Sequence, residues 1–193
     1  MPISLNEIEQ IGVSSDDLKS AKSILKAYNR SNSLNLLTLS SLVPIQSRKY
    51  IAYTPVKTNV LTGNIPRLLP REEISDSVWD VILKTNKFGT TGANSGIATI
   101  FRHLAYWPNL LSLIQVKLQN AQQTGEISIG ARSVSKIAIE EGNRMMQLRD
   151  DIALDKISPF ARNTINQYVN GPFRCSRIVN IGTALSHWLE NAK

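Results

Sequence analysis

The sequence predicts an all-α fold, with a single helical domain over residues 1–193. Apolar residues between Asn94 and Gly125 recur with the 3.6-residue period of a helix that is buried along one stripe. Serine residues precede several other apolar runs, and serine is a preferred N-cap residue. No stretch of convincing length alternates apolar and polar residues as a half-buried strand would. These patterns predict a bundle of helices packed around one core.

Residues 1–42 are predicted to hold the N-terminal helices. A short helix over residues 4–12 ends at a glycine, and the run SSDD (residues 14–17) then fits an N-cap followed by acidic first-turn residues. The polar run NRSNS (residues 29–33) is predicted to interrupt this second helix before the apolar run LNLLTLSSL resumes it. Asn32 would then lie in a polar break between two helical segments.

Residues 43–70 are predicted to form a long loop, because they contain four prolines and one glycine and show no apolar period. Loops of this length are often functional lids or partner contacts. Pro70, followed by Glu72 and Glu73, suits the first turn of a helix, where a missing amide hydrogen costs no bond and acidic side chains complement the dipole. A core repeat over residues 71–193 is expected to start there.

The stretch from Asn94 to Gly125 is the predicted spine of this core. Its buried stripe consists of Ile97, Ile100, Phe101, Leu104, Ala105, Leu111, Ile114 and Leu118. Pro108 has no amide hydrogen, and its ring would clash with the carbonyl of Leu104 in a continuous helix. The spine is therefore predicted to bend or break at Trp107-Pro108, beside a pocket.

Three further helices are predicted after the spine. The first follows Gly125 and places Val134, Ile137, Ala138, Met145, Leu148 and Ile152 near one helical face. Ser158-Pro159 is an N-cap and first-turn pair that opens the second helix, and Gly171-Pro172 closes it. The last helix is predicted from about residue 174 to residue 188.

Composition limits the classes of function. The single cysteine, Cys175, cannot form an internal disulfide, which favours a reducing, cytoplasmic location. No apolar run approaches the roughly 20 residues that span a bilayer, so no membrane contact is expected. The 22 lysine and arginine residues exceed the 15 acidic residues, but they are dispersed and form no block of like charge. We interpret them as a solvated basic surface rather than a nucleic-acid site.

Few side chains have the spacing of a catalytic or metal site. Neither histidine has a partner at metal-ligand spacing, and the common phosphate-binding and nucleophile motifs are absent, so no metal or cofactor is expected. His103 lies beside the apolar stripe of the spine, where a hydrogen-bonded structural histidine is favoured over a general base. Phe101 and Trp107 would suit an apolar ligand pocket, although core packing explains them equally well.

Two segments of the sequence resemble the group I, DehI-type, 2-haloacid dehalogenases. They are AYNRSNSLNLLTLSSL (residues 27–42) and WDVILKTNKFGTTGANSGIATIFRHLAYWPNLLSLI (residues 79–114). In that family an asparagine lies in a polar break ahead of an apolar helix, and a later helix reads small-Asp-Phe-x-x-Leu-Ala-x-Trp-Pro. The run ATIFRHLAYWP (residues 98–108) matches this pattern except at the acid.

The resemblance implies an all-helical fold related to the alkylhydroperoxidase-D-like fold, with two tandem repeats around a shared substrate pocket. This chain would hold one to one-and-a-half repeats, so a homodimer that rebuilds the twofold arrangement is expected. Matched residue by residue, Asn32 corresponds to the family's active-site asparagine and Thr99 to the small residue before its acid. Ile100 occupies the position of the acid itself. Because isoleucine cannot accept a proton from water, dehalogenase activity is not expected.

Two functions stay open at this point. In the first, a divergent hydrolase of the 2-haloacid type binds a small carboxylate, with Asn32 orienting substrate or water, Arg102 holding the carboxylate and His103 replacing the base. Thr99, Ile100 and Trp107 would complete the lining of the pocket. In the second, a non-catalytic binding or scaffold protein keeps the fold and the pocket but has lost the acid. The isoleucine at the acid position favours the second.

Overall fold

A computed structural model describes residues 3–43, 65–90, 96–146, 156–170 and 175–192 of the chain. Over these ranges the chain forms helices and connecting segments and contains no strand, which confirms the all-α class. The helices are α1 (Leu5–Gln10), α2 (Ser15–Ser41), α3 (Asp76–Gly89), α4 (Thr99–His103), α5 (Pro108–Gln123), α6 (Glu126–Met146), α7 (Pro159–Asn170) and α8 (Cys175–Glu190). Short 3-10 turns at Arg71–Glu73 and Leu104–Tyr106 precede α3 and α5. Most of the predicted 43–70 loop lies outside the described ranges.

Serine caps fix the starts of the first three helices. α1 and α2 begin where the sequence predicts, because the side chains of Ser4 and Ser14 accept hydrogen bonds from first-turn amides. α3 begins after Ser75, which caps it in the same way. The predicted helix start at Pro70 is wrong, since residues 71–73 form a separate 3-10 turn.

α2 is one uninterrupted helix, so the predicted break at residues 29–33 is also wrong. Asn29 donates hydrogen bonds to the carbonyl of Gly182 at 2.9 Å and to the hydroxyl of Ser186 at 2.8 Å, both on α8. These contacts hold the polar run against a neighbouring helix. They outweigh the modest preference of asparagine and serine for turns.

The spine breaks where the sequence predicts. α4 ends at His103, a 3-10 turn follows, and α5 begins at Pro108. Pro108 takes the first helical position, where its missing amide hydrogen leaves no bond unmade. The break gives the two halves of the spine separate directions while both stay in the core.

The main hydrophobic core contains residues from each of the helices α1 through α5, from the start of α6 and from α8. The N-terminal helices and the later helices therefore share it. Ile100 and Phe101 from α4 and Leu111 and Ile114 from α5 lie at its centre and are at most 1% exposed. A smaller cluster lies where α2, α6, α7 and α8 meet, and it contains Leu36, Ala138, Val169, Cys175 and Val179.

α6 packs through Ile127 and Val134 and, where it meets α2, through small residues. A Cβ atom on Gly142 would lie 2.7 Å from the backbone nitrogen of Ser41, so α6 and α2 approach each other closely at this glycine. Ala138 is buried on the same helix, whereas Ile137 is 59% exposed and Met145 is 36% exposed. The predicted apolar face is therefore buried at Ala138 and partly buried at Val134 but not buried at Ile137 and Met145, and its last two residues, Leu148 and Ile152, lie outside the described residues.

Candidate functional site

Ile100, at the position of the family's acid, lies in the core against α8. It is 1% exposed, and its Cδ1 atom lies 3.6 Å from the place that a Cβ atom on Gly182 would take. The Oδ1 atom of Asn29 lies 2.1 Å from that same place. The structure therefore brings Asn29 close to Ile100, with the bare backbone of Gly182 between them.

Asn29 was not predicted as a site residue. Both hydrogen bonds of its amide nitrogen go to α8, so its donor capacity is used in linking two helices. The signal that could have found it is the helical period, because Asn29 lies four residues after the buried Leu25 once α2 is continuous. The expected break at residues 29–33 hid this register.

Asn32, the asparagine that the sequence selects, lies one turn further along α2 and is half-buried. Its backbone carbonyl accepts a hydrogen bond from the Cys175 thiol at 3.8 Å, at the start of α8. Ile100 approaches α8 at Gly182 instead, about 10 Å further along the helix axis. Burial raises the pKa of the Cys175 thiol, which disfavours the reactive thiolate form.

Arg102 is held by the extended segment over residues 65–70, which we call the strap. One Nη atom of Arg102 donates to the carbonyl of Leu69 at 2.5 Å. Its Nε atom is shielded from solvent and has no hydrogen-bond partner among the residues described. In this arrangement one arm of the guanidinium holds a backbone segment, while the Nε donor is not used by any described residue.

His103 is bonded through both ring nitrogens and is 6% exposed. Its Nε2 lies 2.9 Å from the carbonyl of Pro66 on the strap, and its Nδ1 lies 2.6 Å from the hydroxyl of Tyr28 on α2. Since a carbonyl only accepts hydrogen bonds, the proton resides on Nε2, and Nδ1 accepts the Tyr28 proton. Both ring nitrogens thus have partners in the described ranges, and the structural role of His103 stays a prediction.

Tyr106 completes the attachment of the strap by donating its hydroxyl proton to the carbonyl of Arg67 at 2.9 Å. Together Arg102, His103 and Tyr106 satisfy three strap carbonyls. The strap needs such donors because an extended segment with a proline at positions 66 and 70 lacks a regular backbone ladder of its own. Sequence reasoning missed the strap because its partners lie more than 30 residues away in the chain.

Trp107 and Thr99 take part neither in the contacts with α8 nor in the attachment of the strap. The indole N–H of Trp107 donates to the carboxylate of Asp17 at 2.8 Å, which ties the break in the spine to the first turn of α2. The Ser14 hydroxyl, and after it this indole, lowers the pKa of Asp17. Thr99 is exposed in the first turn of α4, about 100° around the helix from the buried Ile100.

The predicted site residues thus have separate partners. Asn32 contacts Cys175, Arg102 and His103 hold the strap, and Trp107 binds Asp17. Among the surface grooves of the described ranges are three that are lined by no residue predicted for the site. One of them, of about 470 Å³, is lined by Ser15, Leu18, Lys19, Lys22, Ser23, Lys26 and Glu190.

The described ranges contain no group of three or more histidine, cysteine or acidic side chains placed to hold a metal ion. Within the same ranges, none of the helices has both the length and the apolar content needed to cross a membrane.

No protein-family model, curated protein or solved structure matches the chain. The likeness to the dehalogenases rests on the two sequence segments that carry it and stays a prediction. The contacts of Ile100, Arg102 and His103 are accordingly the basis for a functional proposal.

Proposed function

We propose that this protein is a DehI-like helical protein that binds a partner or ligand without catalysing a reaction. The observation that carries the proposal is the environment of Ile100. An apolar side chain, 1% exposed, fills the position where the resemblance places a water-activating acid. The amide of the nearby Asn29 is too weakly basic to take a proton from water, and its nitrogen is bonded to α8, so neither residue offers a general base.

The contacts of His103, the candidate base, and of Arg102, the candidate carboxylate-binding residue, support the same proposal. A general base needs a lone pair directed at its substrate or at water. The Nδ1 lone pair of His103 accepts the Tyr28 hydroxyl, and its Nε2 proton is donated to Pro66. Arg102 is held by Leu69. Catalysis with His103 as the base would first have to break its hydrogen bond to Tyr28 or the one to the strap.

A homodimer is part of the proposal, because the resemblance implies a missing half of a twofold arrangement. Ile129 and Ile137 on α6 support it, since both are more than half exposed and offer apolar area for an interface. Light scattering at micromolar concentration should give twice the 21.4 kDa chain mass. An Ile129→Ser/Ile137→Ser variant should shift towards the monomer, and a natural protein that stays monomeric would refute the dimer.

Halide release from 2-chloropropionate, measured against a buffer blank, tests the absence of catalysis. We expect the natural protein to match the blank. Robust turnover that is lost in a His103→Gln variant would instead establish a divergent hydrolase with a substituted base. Turnover that survives this variant would also contradict the proposal and would point to a base outside the predicted set.

A further inference from the structure

The groove beside α2 has a row of three lysines along one wall. Lys19, Lys22 and Lys26 are three and four residues apart, so they lie on one face of α2 and extend about 10 Å along its axis. Glu190, at the end of α8, is the one acidic residue among the described residues that line the groove. The wall is therefore strongly positive.

None of these three lysines forms an ion pair with any residue in the described ranges. The ion pairs found there use other cations, such as Lys117 with Glu7 and Lys136 with Glu140. Like charges spaced three or four residues apart repel one another on a helix. A row of three unpaired lysines therefore destabilises the free protein slightly, and a bound anion would relieve that repulsion.

The groove also offers apolar surface. Leu18 lies at its floor and is 9% exposed, and the methylene stems of the lysines add apolar walls below their charged ends. Its volume of about 470 Å³ falls in the range of ordinary ligand pockets. A ligand that combines negative charge with apolar side chains would match both features.

The lining favours an acidic protein segment over a nucleic acid. It includes neither an aromatic side chain nor an arginine among the residues described, and proteins that bind single strands stack bases on such groups. Lysine is a compact point charge that accepts carboxylates without a fixed planar geometry. Carboxylates at positions i, i+3 and i+7 of a partner helix would have the spacing of Lys19, Lys22 and Lys26.

We infer that the groove lined by Lys19, Lys22, Lys26 and Leu18 binds an acidic amphipathic helix of a partner protein. The inference rests on the proposed binding role and gives it a partner class. The site is separate from the strap and from Ile100, so it needs none of the residues in the predicted catalytic set.

The test uses the full chain and a fluorescein-labelled helical peptide of about 15 residues, with three glutamates at i, i+3 and i+7 beside leucines. Anisotropy at about 50 mM salt should show binding that weakens as salt is added, because salt screens exposed charges. A control peptide with glutamines in place of the glutamates should bind about tenfold more weakly, since each exposed ion pair contributes modestly.

Matched protein variants locate the binding. Replacing Lys19, Lys22 and Lys26 by glutamine should weaken peptide binding about tenfold. Replacing Lys84, Lys87 and Lys156, which are exposed, by glutamine makes the same change in net charge elsewhere on the chain and should change binding less than about twofold. Circular dichroism should show that both variants stay helical, as expected for substitutions of side chains that are mostly exposed.

Three outcomes would overturn the inference: no binding of the glutamate peptide, equal losses in the two triple variants, or a thymidine oligonucleotide that binds more tightly than the peptide through the same lysines. The last would assign the groove to nucleic acid. Each of these results leaves the halide measurement unaffected. A failure of the peptide test is therefore distinguishable from a failure of the non-catalytic proposal.

Discussion

The strap attachment and the groove beside α2 use basic side chains in opposite ways. Arg102 and His103 lie in the segment that resembles an active site, yet both are bonded to strap carbonyls. Lys19, Lys22 and Lys26 lie in no recognised motif, yet they line an open groove without ion pairs in the described ranges. The difference shows that the partners of a side chain, more than its place in a motif, decide whether it can serve a ligand.

The two regions also differ in how much the contacts of their basic side chains contribute to the free energy of unfolding. A buried donor or acceptor that loses its partner costs about 1–3 kcal/mol, so Arg102 and His103 cannot leave the strap without a penalty. An exposed lysine is hydrated and contributes little to stability. Substitutions near Ile100 and the strap should therefore change the free energy of unfolding, whereas substitutions in the groove should change binding alone.

Replacing the buried isoleucine by an acid should have the largest effect on stability. Ile100→Asp places a carboxylate at a position that is 1% exposed, and it should lower the free energy of unfolding by about 2–4 kcal/mol. The control Ile100→Val removes one methylene and should cost about 1 kcal/mol. Urea denaturation of both variants measures the difference, and a stability of Ile100→Asp equal to that of Ile100→Val would show that the site is hydrated.

Loss of the His103 contacts should have the next largest effect. His103→Phe keeps the ring but leaves the carbonyl of Pro66 and the hydroxyl of Tyr28 without this partner, at a cost of about 1–3 kcal/mol. It should also expose the strap to trypsin at Arg67, which mass spectrometry of the early fragments detects. Tyr106→Phe is the milder control, because its bond to the strap is exposed to water. Unchanged cleavage at Arg67 in His103→Phe would show that His103 does not hold the strap.

These predictions depend on features that the sequence reveals unequally. Caps at Ser4, Ser14 and Ser158 and the break at Pro108 are local, so the order of the residues is enough to predict them. The continuity of α2 depends on Asn29 reaching α8, a contact across more than 150 residues. A single sequence carries no record of such partners.

The candidate site was harder to predict than the fold for the same reason. The sequence places Ile100 on the buried stripe, and the structure confirms that burial, while the structural role that the sequence favours for His103 stays a prediction. It gives no sign that residues 65–70 cross the end of α4. Nor does it separate the three lysines of α2 from other dispersed cations, because burial and pairing depend on neighbouring helices.

Acid should weaken one ion pair outside both regions. Lys117 holds the pKa of Glu7 at about 2, with help from the Ser4 amide, against 4.5 for an unperturbed glutamate. A lowered folded-state pKa gives stability that is fully present above pH 4.5 and is lost as the pH falls towards 2. The Glu7 side chain is 34% exposed, so screening limits the contribution to about 1 kcal/mol.

The measurement compares the unfolding free energies of the natural protein and Glu7→Gln between pH 7 and pH 3. Their difference should narrow below pH 4.5. Glutamine does not titrate, whereas Glu7 must take up a proton as its ion pair with Lys117 is lost. A difference in unfolding free energy that stays constant over this range would therefore contradict the lowered pKa of Glu7.

The lysines of the groove should have the smallest effect on stability. Replacing Lys19, Lys22 and Lys26 by glutamine should change the free energy of unfolding by less than about 0.5 kcal/mol, with a slight gain from reduced repulsion. Thermal unfolding at low salt measures this change. A large loss would show that the lysines support the fold, and the contrast with the strap would fail.

The most direct test of the account is halide release from 2-chloropropionate by the Ile100→Asp protein, assayed at a temperature where circular dichroism shows it folded. We predict no release above the blank. Asn29 is bonded to α8, Asn32 contacts Cys175, and Arg102 and His103 hold the strap, so a restored acid finds no assembled site. Halide release that is abolished again by Asn32→Ala or by Asn29→Ala would contradict the account and would show a pocket that had lost only its acid.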